Sequence, residues 1–147
     1  MSDRDSRAGQ AYFDPEILDW TARVHAGHDA ALARAFDAPG RHGMPAIQLA
    51  PSEARLVEIL ITLVGARKAV EIGTLAGYSA IRIARALAEG GHLWSIEADS
   101  RHAAVARENL TIAALLRRVT VVEGAGLEVL PSLEEHGPFD AVFVDAD

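Results

Sequence analysis

The 147-residue chain contains no cysteine, which excludes disulfides, thiolate metal sites and cysteine nucleophiles. Lys68 is its one lysine, and the arginines stand singly or in pairs rather than in a basic cluster. Together with a formal charge of −7, this weighs against nucleic-acid partners, which are held through phosphate contacts to a basic face. No apolar run is long enough for a bilayer: the longest, LVEILITLVGA, is interrupted by Glu58, whereas a span needs about 20 apolar residues. The N-terminal MSDRDSRAGQ has none of the apolar core of a signal peptide. A cytoplasmic protein with no membrane partner is therefore expected. Half of the residues are hydrophobic and 24% are charged, a balance that favours a folded domain over disorder. The length suits one sizeable core.

Residues 1–13 read as a solvated tail and residues 14–147 as one domain. Asp14-Pro15 is an N-cap followed by proline at the first helical position. The helix it starts would carry Ile17, Trp20, Val24 and Ala31 as a loose apolar stripe, weakened by Gly27. His25 and His28 stand three apart on this expected helix, a spacing that can hold a metal, but no third ligand lies nearby. They read as surface or half-buried residues. DAPGRHGMP, residues 37–45, reads as a break. A second helix follows Pro51, with Leu56, Ile59, Leu60 and Leu63 expected inward and Glu53, Arg55 and Glu58 outward.

After Gly65 the rhythm changes. KAVEI (68–72), HLWSI (92–96), RVTVV (118–122) and FDAVFV (139–144) are short apolar runs. Between them lie the helical patterns YSAIRIARALAEGG, 101–116 and 126–135, the last of which Pro131 interrupts. In the first, Ile81, Ala84 and Leu87 form the apolar face, Arg82, Arg85 and Glu89 the polar face, and Gly90 the stop. Alternating strands and helices predict a parallel sheet covered by helices, and uniformly apolar strands fit burial on both sides. The fold class is α/β, a Rossmann-like doubly wound sheet with a helical N-terminal extension.

In VEIGTLAGYS (70–79), Gly73 and Gly77 bracket the turn from first strand to first helix. There a bare backbone can press against a ligand, and the helix N-terminus offers free N–H groups to an anion. A dinucleotide fingerprint requires G-x-G-x-x-G, and Leu75 stands where its middle glycine belongs. A purely structural turn would use the same two glycines. Glu97 ends the second strand twenty residues after Gly77, where such folds place an acid for the two hydroxyls of a ribose; as a bland alternative, EADS is only a helix start. Glu71 lies inside an apolar strand, where a carboxylate is costly unless paired. A cationic ligand group would relieve that cost, so the site suits an adenosine-type ligand that carries an amino acid moiety.

EIGTLAGYSAIRIARAL, SIEAD and FDAVFVDAD, in this order and spacing, resemble the cation-dependent class I S-adenosylmethionine O-methyltransferases, the group of catechol and caffeoyl-coenzyme A methyltransferases. The resemblance runs from about Met44 to Asp147. It implies that Glu71, Gly73, Thr74, Tyr78 and Ser79 contact the cofactor, chiefly its methionine part. Glu97 would take the ribose hydroxyls, and the GAG at 124–126, centred on Ala125, would flank the adenine. AIQLAPSEARLV (46–57) resembles the segment that closes over the cofactor, with Leu49 at its contact position. Asp145 and Asp147 match the two acids of the family's D-A-D motif, the first a ligand of a divalent metal, Mg²⁺ by expectation, and the second a cofactor contact. The implied activity is methyl transfer to a phenolic or catechol-type hydroxyl of a small acceptor.

The chain departs from the family pattern in three places. Ala50 replaces a serine that often caps the closing helix, losing about 1 kcal/mol. Gly126 and Leu127 replace a polar pair that some members place beside the adenine. The family also continues beyond D-A-D with a lysine and a later Asp-Asn pair that completes the metal site. On the resemblance, this chain is therefore the N-terminal part of a longer domain and inactive by itself, while the longer protein leaves room for a homodimer. Three alternatives stay open at this stage: a nucleotide-dependent oxidoreductase, a nucleic-acid methyltransferase, and a cofactor-binding module without catalysis.

Overall fold

The computed structural model describes residues 14–146; the tail at 1–13 and Asp147 lie outside the described residues. Helix α1 (Pro15–His25) begins as expected, with the Asp14 carboxylate accepting from the Glu16 N–H. It ends sooner than expected. Gly27 breaks the chain and Asp29 starts a separate helix, α2 (Ala30–His42), its side chain accepting from the Leu32 N–H. The stripe Ile17, Trp20 and Val24 does not enter the core: all three are more than half exposed. His25 closes α1, whereas His28 lies in the junction and meets the Tyr78 hydroxyl at 2.7 Å. The expected break at 37–45 is also corrected. Helix α2 runs through a buried Pro39 and stops at Gly43, whose left-handed backbone (φ +62°) lets its N–H reach back to the Pro39 carbonyl.

Helix α3 (Pro51–Val64) turns its faces opposite to the sequence expectation. Ala54 and Ile61 are buried, while Leu56, Ile59, Leu60 and Leu63 are exposed. LVEILITLV is apolar on both sides, so helical periodicity does not choose between them. The choice is made by Glu58, expected outward, whose carboxylate pairs at 2.8 Å with Arg82 of the next helix. Arg82, also expected on a polar face, is 5% exposed and donates to the Ala26 and Gly27 carbonyls. One buried guanidinium thus ties the α1–α2 junction to α3, the arrangement that makes a buried charge tolerable. At the start of α3, Ala50 gives no side-chain cap, but the Glu53 carboxylate accepts from the Ala50 N–H at 2.8 Å.

The sheet is as read. Strands β1 (Lys68–Ile72), β2 (His92–Glu97), β3 (Val119–Glu123) and β4 (Ala141–Val144) are all parallel, in the order β3-β2-β1-β4. Their connections are α4 (Tyr78–Ala86), α5 (Ser100–Ile112) and a short α6 (Gly126–Val129) that passes into a 3₁₀ turn at Leu130–His136, where Pro131 falls. Helix α4 is buried from Tyr78 to Ala84, because the sheet lies on one side and α2 and α3 on the other. The larger core fills that side, with Ala69, Leu93 and Val119 against Ile81, Ile83 and Leu110. A smaller one, Val70, Ile96, Val129 and Leu133, fills the opposite face. Among the described residues no helix is long and apolar enough to cross a membrane.

Candidate cofactor site

Parallel strands point their C-terminal ends to one edge of the sheet, and in such folds ligands gather there. Ile72, Glu97 and Val144 end three neighbouring strands, and a cleft of about 380 Å³ opens beyond them. That volume is within the range of small-molecule sites. Its floor is the turn from β1 to α4. Gly73 adopts φ +101°, and a Cβ there would lie 2.6 Å from the Asp145 carbonyl oxygen, so only glycine lets the two strand exits meet. Leu75, at the position of the missing fingerprint glycine, takes a left-handed φ of +48°. The turn is fastened to α5 by the Asn109 side-chain amide, which donates to the Ala76 carbonyl at 2.9 Å.

Glu97 organises this turn. Its Oε2 accepts from the Thr74 and Leu75 N–H groups at 3.1 and 2.7 Å, and its Oε1 from the Asp99 N–H at 3.0 Å. The acid expected to meet a ribose is thus first the acceptor that holds the loop. His102 stands beside it, Nδ1 3.7 Å from Oε1. At the far side of the turn, α4 starts at Gly77 without a side-chain cap, leaving the N-terminal N–H groups open to an anion.

Glu71 lies behind the cleft wall, fully buried. It shares one row of the sheet with Ser95 and Phe143, and the Ser95 hydroxyl donates to its Oε2 at 2.5 Å. A further contact of 2.5 Å joins Ser95 to the Thr74 hydroxyl, so a line of oxygens runs from turn to strand. Burial pushes the Glu71 carboxyl up to about 7; the Ser79 and Ser95 hydroxyls oppose this, and the Asp145 and Glu97 carboxylates add to it. Its Oε1 has no hydrogen-bond partner.

Of the residues that the resemblance implies, Leu49, Gly73, Thr74, Tyr78, Ser79, Glu97 and Asp145 line the cleft. Glu71 is adjacent rather than lining. Ala125 is not among the lining residues; it caps α6, and the neighbouring Gly126 packs so closely beneath Ile72 that a Cβ would come within 3.0 Å of it. Asp147 lies outside the described residues. Sequence reasoning missed Gln48 and His102, which also line the cleft. His102 falls in the first turn after the Asp99 cap, a signal that was available. No three His, Cys, Asp or Glu side chains converge as a metal site among the described residues, so Asp145 alone does not constitute one.

Fold and cleft define a Rossmann-like domain built to hold a ligand at the exits of β1 and β2. Residues 25–147 match the family model described as O-methyltransferase, and the chain belongs to that family. It is 43% identical over 121 residues to a catechol O-methyltransferase of Niastella koreensis, covering 81% of this chain and 55% of that protein. To a catechol O-methyltransferase of Mycobacterium tuberculosis it is 41% identical, covering 90% and 60% respectively. Among solved structures, the O-methyltransferase from Bacillus cereus in complex with SAH superposes with a TM-score of 0.85 at 35% identity, over 90% of this chain and 61% of that one. TomG from Streptomyces achromogenes, in complex with SAM, gives 0.86 at 32%, over 99% and 63%. The chain therefore spans 55–63% of the length of these relatives.

Proposed function

We propose that this chain is the cofactor-binding part of an S-adenosylmethionine-dependent O-methyltransferase whose acceptor is a small phenolic or catechol-type molecule. The observation that carries the reading is the Glu97-fastened turn beneath an uncapped helix N-terminus, beside a buried acid with an open oxygen. Such a site offers acceptors for an ammonium and hydroxyls, and N–H donors for a carboxylate. When bound, the cofactor would supply an electrophilic methyl group. The turn would fix its adenosine by Glu97 and its amino acid part between Ser79 and the α4 N-terminus. The closing segment at Leu49 would exclude water, so that orientation lowers the barrier.

The metal implied by the resemblance would need ligands beyond Asp145, and we assign that role to Asp145 only within a longer protein. The exposed apolar faces of α1 and α3 are where a homodimer of that protein would form, and the cytoplasmic expectation from composition goes with it. Titration calorimetry tests the cofactor assignment. S-adenosylhomocysteine should bind and NAD should bind more weakly; tighter binding of NAD would return the site to an oxidoreductase reading.

A further inference from the structure

The closing segment carries a polar atom that the fold leaves unused. Gln48 lines the cleft, and its Nε2 donates to the Phe36 carbonyl of α2 at 3.0 Å. The partner fixes the orientation of the amide, since only the nitrogen can face a carbonyl. Its Oε1 is consequently turned away from α2; it is buried and has no hydrogen-bond partner. A buried acceptor left open costs free energy, and in a cleft wall it points to a donor supplied from outside.

The surroundings say which donor. The Phe36 ring packs on Tyr78 at 5.2 Å between centroids, so Gln48 is tied to the residue next to Tyr78 in the wall of the cleft that also carries Ser79. Ser79 and Asp145 also line the cleft, and Glu71 is buried behind its wall. Glu71 Oε1 is the second open acceptor there. A carboxylate would be repelled by this set, whereas an ammonium carries three donors and a charge that suits two acids. Resting on the cofactor reading above, we propose that Gln48 is a positioning residue for the ligand's ammonium: its amide oxygen accepts from that group, and its amide nitrogen anchors the closing segment to α2. The resemblance carried over Leu49 from this segment, not Gln48.

The two halves of this role separate by calorimetry with two probes: S-adenosylhomocysteine, and its analogue that keeps the carboxylate but lacks the ammonium. Gln48→Leu should lose about tenfold or more in affinity for S-adenosylhomocysteine, the usual effect of removing a hydrogen bond to a charged group. The ammonium-free analogue should lose about tenfold less than S-adenosylhomocysteine, because it feels only the loss of the anchor to α2. Equal losses for both probes would overturn the proposal and leave Gln48 as a tether of the segment only. Failure of wild type to bind either probe would instead refute the cofactor reading. Should Gln48→Leu not fold by circular dichroism, Gln48→Met, which keeps the side chain's length, takes its place with the same expectations.

Discussion

Glu97→Gln keeps the length of the side chain and removes its charge, and three backbone N–H groups set the consequence. Oε2 serves Thr74 and Leu75, Oε1 serves Asp99, and all three partners are donors. Glutamine has one acceptor oxygen and one donor nitrogen, so in either orientation its NH₂ faces at least one N–H group. The better orientation leaves the oxygen on the Thr74–Leu75 pair. The Asp99 N–H then loses its acceptor, and the other two bonds change from charged to neutral. A hydrogen bond to a charged group is worth roughly 1.5–3 kcal/mol and a neutral one about 1. With part of the Asp99 loss recovered from water, we expect Glu97→Gln to cost about 2 kcal/mol of folding stability. Glu97→Ala, which also leaves the Thr74 and Leu75 N–H groups without their acceptor, should cost about 3 kcal/mol or more.

Urea denaturation reads this directly: the midpoint should fall with the slope unchanged. Calorimetry on the same samples should show S-adenosylhomocysteine weakened by roughly 1–3 kcal/mol in Glu97→Ala, since the acid would also accept from the ribose. If Glu97→Gln stays within about 0.5 kcal/mol of wild type, the range of an ordinary surface substitution, the carboxylate does not hold the turn. A loss of affinity without any loss of stability would refute the same point from the other side.

Glu71 should make stability fall as pH rises. Its folded pKa of about 7 lies above the ordinary 4.5, so between those values the unfolded chain releases a proton that the folded chain keeps, and the full cost above pH 7 is about 3 kcal/mol. Glu71→Gln should flatten that slope in denaturation curves collected from pH 4.5 to 8; an unchanged slope would place the titration elsewhere. Arg82→Met should destabilise by about 2–3 kcal/mol, because Glu58 keeps only the more exposed Arg55 as a partner and the Ala26 and Gly27 carbonyls lose their donor. Limited proteolysis should then cut at the α1–α2 junction, and resistance equal to wild type would show that Arg82 does not hold it.

The strands were legible because each is a short apolar run bounded by turn residues, and burial on both faces needs no further information. Helix faces were not legible where both sides are apolar. In α3 the decision rests on Glu58 meeting Arg82, a contact 24 residues apart that no local period encodes. The same pair explains why Arg82 was misplaced: on α4 it has the spacing of a solvated residue, yet α3 covers it. The single N-terminal helix failed for another reason. Gly27 ends the apolar stripe's helix early, and Asp29, whose side chain accepts from the Leu32 N–H, caps a new one that the stripe conceals.

At the site, sequence reasoning found groups whose role follows from position along the chain and missed those whose role follows from what they lack. Glu97 was found because it ends a strand, but its three backbone donors leave it committed to the fold before any ligand arrives. Gln48 has its amide nitrogen bound and its oxygen open, and Glu71 has one oxygen bound and one open, a distinction visible only when every partner is placed. The two kinds of group stand about one cleft. A satisfied acid at the β2 end gives a rigid turn that costs nothing further to organise when the adenosine binds. Open acceptors at the Ser79 end keep a desolvation cost in the empty protein that a cation would remove. Binding selectivity should therefore concentrate at the amino acid end, where the ligand completes the hydrogen bonding of the protein, while the other end supplies the frame.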